Sequence, residues 1–121
     1  MHDNMSDLVI VSKKESVKTI SLNNTTRKNA ITKQMVLDIH QAIIDSETDG
    51  TKVIVLTGEG KDFCSGADLV AGGAELMSGV TKYLKECANV LILAMHNTNI
   101  PIIAKVRGVC VGLGFNLALA C

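Results

Sequence analysis

The amino-acid sequence predicts an α/β fold, and three observations carry that prediction. Short β-rich apolar runs alternate with longer segments whose apolar residues recur at helical spacing. Two glycine-rich stretches each follow an apolar run of strand length, so a strand–loop–helix unit occurs twice. No linker, low-complexity tract or obvious repeat divides the 121 residues. A chain of that size fits one domain and can bury about 65% of the surface its unfolded form exposes.

Residues 8–13 and 17–22 are β-rich and flank the polar Lys14-Glu15-Ser16, which predicts an antiparallel hairpin. After a polar stretch over 23–29, Thr32 is an N-cap candidate and Met35, Val36, Ile39 and Ile43 share one helical face; this helix is expected to end near Asp45. Asp49-Gly50 marks a turn, and the continuous apolar run 53–57 is expected to be a strand covered on both faces. Residues 58–73 hold five glycines and no periodicity, so they read as a loop with a short helical turn after Ala67. A second long helix is expected over 80–96, ended by 97–101 because the residue before Pro101 avoids the helical region. Residues 102–106 form the next strand, Arg107-Gly108 turns the chain, and 112–121 read as a buried helix entered through glycines. Residues 1–7 are expected to be a flexible tail containing an internal start at Met5, with the domain running over 8–121.

Twelve basic side chains balance twelve acidic ones, and no Lys/Arg cluster is interleaved with aromatics. That excludes an electrostatic footprint for nucleic acid or anionic membrane. The longest apolar run, 90–95, is too short to span a bilayer, and the N-terminus lacks the basic and apolar regions of a signal peptide. A soluble cytoplasmic protein of small-molecule chemistry is expected. Cys64, Cys87, Cys110 and Cys121 show no CxxC spacing, and three of them sit in apolar surroundings, which fits a reducing compartment. His2, His40 and His96 stand far apart without a metal-ligand pattern, so no metal is expected. His40 and His96 read as surface or helix-end residues, and Met35, Met77 and Met95 as core fillers.

The chemistry concentrates in two loops. In Gly58-Glu59-Gly60-Lys61-Asp62-Phe63-Cys64-Ser65-Gly66-Ala67-Asp68-Leu69, Gly66 permits a close backbone approach or a positive φ, and the small Ala67 leaves its N–H open to a guest atom. In Gly108-Val109-Cys110-Val111-Gly112-Leu113-Gly114-Phe115-Asn116, the first N–H groups of a helix stay unpaired at the positive end of its dipole. Two backbone donors could thus serve one oxygen. A dinucleotide-binding turn at Gly112-Leu113-Gly114 is the competing reading, but it lacks the first-strand location and the acidic residue about twenty positions later. Ser65 has no G-x-S-x-G elbow and reads as a turn residue. Cys64, with no activating partner visible, reads as a packed side chain, and Asp68 as a residue that fixes or caps the loop. For Asn116 a substrate contact and a helix-end bond stand level.

Residues 53–69 resemble the signature of the crotonase (enoyl-CoA hydratase/isomerase) superfamily, an apolar strand followed by TG.G..F.SGAD[LI]. Ile100-Pro101-Ile102-Ile103-Ala104-Lys105-Val106-Arg107-Gly108 resembles its KP.IA.V.G element, and Arg27-Lys28-Asn29-Ala30-Ile31 its R.NA[LI] segment. The resemblance covers the chain from Leu8 onward. It implies a spiral of ββα units, incomplete at the C-terminus, assembled as trimers or pairs of trimers, and an extended groove for an acyl-CoA thioester. CoA is then part of the substrate and no separate cofactor is implied. Carried over residue by residue, the N–H groups of Ala67 and Leu113 would polarise the thioester oxygen. Lys28, Asn29, Ala30, Ala67, Asp68, Leu69 and Val70 would lie along the CoA.

The sequence departs from the family's pattern at two places. Many hydratases of the family carry a glutamate where this chain has Asn116, and an amide cannot shuttle a proton. Isomerisation, or another reaction needing one acid, survives that change better than two-carboxylate hydration. Leu113 replaces a frequent glycine, which matters less because the contact is made by backbone. The chain also stops at Cys121 inside an expected helix, ahead of the segment that supplies the family's second acid. It is therefore read as the N-terminal part of an enzyme, inactive by itself, with Leu117 and Leu119 left without cover. A non-catalytic crotonase-like module for CoA binding or assembly is the alternative.

Overall fold

The computed structural model describes residues 8–68 and 79–121, with side chains of the second stretch from residue 85 onward. Its elements are β1 (Val9–Lys14), β2 (Val17–Leu22), a 3-10 turn (Thr25–Arg27), α1 (Lys33–Ser46), β3 (Val53–Gly58), α2 (Gly79–Asn97), β4 (Ile102–Lys105) and α3 (Leu113–Leu119). The expected tail over 1–7, the helical turn after Ala67 and the packing of Met77 fall outside the described residues.

The strands form one mixed sheet in the order β1-β2-β3-β4. β1 and β2 pair antiparallel with Lys14 opposite Val17, so Glu15 and Ser16 alone make the turn and Glu15 takes φ +57°. β2, β3 and β4 run parallel. Parallel neighbours need a crossover, and α1 supplies the first. Its start is local chemistry: the Thr32 hydroxyl accepts the Met35 N–H at 3.1 Å. Its expected apolar face is buried, with Met35, Val36, Ile39 and Ile43 each no more than 3% exposed. α1 packs along α2, which contributes Leu91 and Met95 to the same core as Ile20, Leu22, Ile54 and Leu56 of the sheet.

Three expectations are corrected by the packing. β3 alternates buried Ile54 and Leu56 with half-buried Val53 and Val55, because the described helices pack over the Ile54–Leu56 side of the sheet and leave the other, with Val55 and its partner Ile103, only partly covered. The last helix is short and mostly exposed: it buries only Gly114 and Leu117, one stripe at helical spacing, while Phe115 and Leu119 face outward. Leu117 is accordingly 0% exposed rather than uncovered.

Lys18, in the middle of β2, is buried, and its ammonium meets the Ala42 carbonyl at 3.2 Å and the Asp49 carboxylate at 2.5 Å. Hydrogen bonds from Lys18 and Thr51 hold the Asp49 carboxyl well below the usual carboxylate range. Asp49 therefore pins the α1–β3 connection onto the hairpin, where the sequence showed only a turn. Among the described residues no helix is long and apolar enough to cross a membrane.

Candidate functional site

Parallel pairing places the C-terminal ends of β3 and β4 side by side, so the loops that follow them start as neighbours. Glycine then lets them interdigitate. A Cβ on Gly114 would run into the carbonyl oxygen and Cβ of Cys64, and one on Gly108 into Lys61 and Asp62. The two loops are laced by backbone: Phe63 and Cys64 donate to the Val109 carbonyl at 3.1 and 3.0 Å, and Val111 donates to the Cys64 carbonyl at 3.2 Å. Cys64 and Cys110 face each other as an isolated parallel β-bridge of the backbone, with both thiols free.

A third segment joins from the other side. The Ile31 N–H donates to the Gly66 carbonyl and the Asp68 N–H to the Ile31 carbonyl, both at 2.7 Å, so Ala67 is bridged to Ile31 with its own N–H turned away from that bond pair. Among the described residues no acceptor takes the N–H of Ala67, and none takes that of Leu113, the first residue of α3. Gly66 and Gly112 hold these two amides at one junction. Gly66 has φ +111°, and a Cβ there would lie 3.9 Å from the Leu113 nitrogen; Gly112 has φ +54°, and a Cβ there would lie 3.7 Å from the Gly66 Cα. Glycine is required because both conformations are unfavourable for a side chain.

Next to this junction is a groove of about 420 Å³ lined by Thr26, Arg27, Lys28, Ala30, Ser65, Ala67 and Asp68. Four of the residues singled out from the sequence, Lys28, Ala30, Ala67 and Asp68, thus meet in one place. Lys28 is exposed at φ +52°, whereas Ala30 is buried, its N–H on the Arg27 carbonyl and its own carbonyl on the Asn24 amide. Asp68 is 5% exposed and takes the Asn24 amide at 3.2 Å and the Arg27 guanidinium at 3.8 Å, the arrangement of a loop-fixing residue. Ser65 donates to the Arg27 carbonyl at 2.9 Å, in keeping with a turn residue. Leu69 and Val70 lie outside the described residues.

The Asn29 side chain is turned into the protein: it is 0% exposed, takes φ +60°, donates to the carbonyls of Glu59 at 3.0 Å and Asp62 at 2.7 Å, and accepts the Asn24 N–H at 2.8 Å. Its polar atoms are consumed in tying the third segment to the first loop. Asn116 stands exposed in the first turn of α3, its N–H on the Gly112 carbonyl at 3.1 Å.

Sequence reasoning missed Asp62, whose carboxylate accepts the Val109 N–H at 2.8 Å. A carboxylate beside a buried aromatic in a glycine loop was the available signal. For Asn29 the signal was residue type, since asparagine tolerates positive φ better than other side chains.

Cys64 is fully buried, and burial pushes its thiol up from 9.0 to about 11. It is therefore protonated at neutral pH and no nucleophile. Because the folded value is the raised one, its contribution to stability is complete below pH 9.0 and is lost as pH rises through about 11. Native-state alkylation with iodoacetamide, mapped by mass spectrometry, is expected to spare Cys64 at neutral pH and to modify it promptly in urea. Among the described residues no group of three or more His, Cys, Asp or Glu could hold a metal ion.

Two parallel-strand loops crossing through glycines, with free backbone amides at the crossing, define an α/β protein whose site is made of main chain more than of acid–base side chains. The sequence pattern of the enoyl-CoA hydratase/isomerase family matches residues 12–121. The chain belongs to that family, within the crotonase superfamily. It is similar to "Probable enoyl-CoA hydratase echA14" of Mycobacterium tuberculosis, 39% identical over 115 residues, covering 94% of this chain and 44% of that protein. It is also similar to "Enoyl-CoA hydratase ACTT3" of Alternaria alternata, 36% identical over 107 residues, covering 87% of this chain and 36% of that protein. Among solved structures, PA4980 of Pseudomonas aeruginosa superposes with TM-score 0.88 at 28% identity, over 98% of this chain and 52% of that one. An enoyl-CoA hydratase/isomerase from Xanthobacter autotrophicus Py2 gives 0.87 at 30% identity, over 94% and 44%. The chain spans less than half the length of these curated relatives and carries about half of the fold it shares with the solved structures.

Proposed function

We propose that this chain supplies the thioester-holding part of an acyl-CoA enzyme of the enoyl-CoA hydratase/isomerase type, with the N–H groups of Ala67 and Leu113 as the oxyanion donors. The carrying observation is the pair of unpaired amides held at the Gly66–Gly112 junction. Adding water to an α,β-unsaturated thioester, or shifting its double bond, puts negative charge on the thioester oxygen. A preorganised donor aimed at that oxygen is worth about 3 kcal/mol. The groove along Lys28, Ala30, Ala67 and Asp68 takes the CoA, with Arg27 and Lys28 as the cations beside its phosphates. Leu69 and Val70 are assigned to the CoA as well, and the Asn29 side chain acts behind the groove.

Asn116, on the helix that starts at Leu113, hydrogen-bonds a substrate group or a water without moving a proton. That favours double-bond isomerisation over two-carboxylate hydration. The general base, and the contacts of a trimer or pair of trimers, are assigned to residues outside this chain. CoA enters as part of the substrate, and the cytoplasm is the compartment in which the enzyme acts.

The test is to titrate the protein with a saturated acyl-CoA and to incubate it with 2-enoyl-CoA and 3-enoyl-CoA in D2O. Saturable acyl-CoA binding with α-proton exchange or isomerisation is the expected result for the complete enzyme. Binding without exchange or turnover in the complete enzyme selects the non-catalytic module. Absence of both binding and turnover overturns the reading.

A further inference from the structure

We propose that Asp62 is a positioning residue that sets the spacing of the two backbone donors. The inference rests on the assignment of Ala67 and Leu113 above and adds the device that holds them in register. Val109 is the residue by which the second loop is gripped, and both of its backbone polar groups are held by the first loop. Its carbonyl takes the N–H groups of Phe63 and Cys64 at 3.1 and 3.0 Å, while its N–H goes to Asp62 Oδ1 at 2.8 Å. The Asp62 main chain is itself fixed, because its carbonyl accepts the Asn29 amide at 2.7 Å. Gly108, at φ +60°, packs so closely that a Cβ there would collide with Asp62 Oδ1. The carboxylate therefore sits against the second loop at the point where that loop leaves β4, four residues before Leu113.

A hydrogen bond from an amide to a carboxylate is shorter and roughly twice as strong as one between neutral groups. Such strength is useful here because oxyanion donors work only within about 2.7–3.1 Å of the oxygen they serve. A loop free to drift by a few tenths of an ångström would still bind CoA in the groove, yet it would polarise the carbonyl less. Asp62 touches no substrate in this scheme. Its effect passes through Val109 and the Cys64–Cys110 bridge to Leu113.

The test separates positioning from folding by using a thioester whose spectrum reports polarisation. Hexadienoyl-CoA, a conjugated dienoyl thioester, absorbs further to the red when its carbonyl oxygen is hydrogen-bonded. The 121-residue chain is compared with Asp62→Ala, Asp62→Asn and Asp62→Glu for circular dichroism, affinity, red shift and hydrogen exchange over residues 108–114. Asp62→Ala is expected to bind with little change in Kd, to lose most of the red shift and to exchange faster over 108–114. Asp62→Asn, which keeps the acceptor oxygen without its charge, restores the larger part of both readouts. Asp62→Glu keeps the charge but displaces it by one methylene and restores them only in part. A folded Asp62→Ala protein with the parent's red shift and exchange overturns the inference, as does an Asp62→Asn protein that behaves like Asp62→Ala. If Asp62→Ala does not fold, a full red shift in Asp62→Glu overturns it instead. If the parent binds hexadienoyl-CoA without any red shift, the donor assignment falls. The exchange comparison then still decides whether Asp62 holds the loop, and unchanged exchange rejects it.

Discussion

Replacing Gly114 with alanine is expected to cost about 3 kcal/mol of folding free energy or more, at the upper end of what overpacking does, and to weaken acyl-CoA binding by removing the Leu113 donor from the junction. The sign is not obvious from local considerations. Gly114 lies in α3, where alanine is the better helix former by about 1 kcal/mol, and its φ is not positive. The reason for glycine is tertiary: an added Cβ would overlap the carbonyl oxygen, carbonyl carbon and Cβ of Cys64. Two of those are backbone atoms that no rotamer change can move aside. The first turn of α3 would have to withdraw from the first loop, taking Leu113 away from Ala67. Urea unfolding checks the stability, and isothermal titration with an acyl-CoA checks the junction. Gly50→Ala is the control. Gly50 has φ +86° but meets only the end of the flexible Lys13 side chain, so its loss is confined to the conformational term of about 1–2 kcal/mol. A Gly114→Ala protein as stable as the parent contradicts the collision argument.

The second large effect is expected from Asn29→Ala, a loss of about 3 kcal/mol from three hydrogen bonds at the net value typical of each. The Asn29 side chain satisfies the carbonyls of Glu59 and Asp62 and the N–H of Asn24, and the residue is fully buried, so water does not readily replace it. Alanine also tolerates φ +60° poorly. Asn29→Gly isolates that second contribution, because it removes the strain and keeps the hydrogen-bond loss. The expected order of stability by urea unfolding is parent, then Asn29→Gly, then Asn29→Ala. Equal stability of parent and Asn29→Ala rules out the role assigned to the side chain. Proteolytic sensitivity near residues 59–62 should rise in both variants, because the first loop loses its tie to the third segment.

These two residues mark how far local reading carries. The α1 face of Met35, Val36, Ile39 and Ile43, its Thr32 cap, the hairpin and the strands β3 and β4 were legible because each depends on neighbours within a few residues. The family was legible because glycine spacing around Gly66 and Gly112 is itself a local requirement for positive φ. Asn29 was set beside the CoA by the resemblance of residues 27–31 to a family segment, and such a motif does not show that the amide is spent on the chain's own carbonyls. Lys18 and Asp49, thirty-one positions apart, showed no pattern at all. Leu117 and Leu119 are both leucines of one helix, and only packing separates the buried one from the exposed one.

The sequence alone determined an α/β chain of the crotonase type with two glycine loops after apolar strands, and Ala67 and Leu113 as the amides to watch. Only the tertiary structure decided that Gly66 and Gly112 abut, that Gly114 must lack a side chain, that Asn29 faces inward and that Asp62 grips Val109. The physical reason is range. Periodicity, caps and glycine conformations are set by the chain's nearest neighbours, whereas a free amide or a closed gap between loops depends on which distant backbone group arrives within about 3 Å.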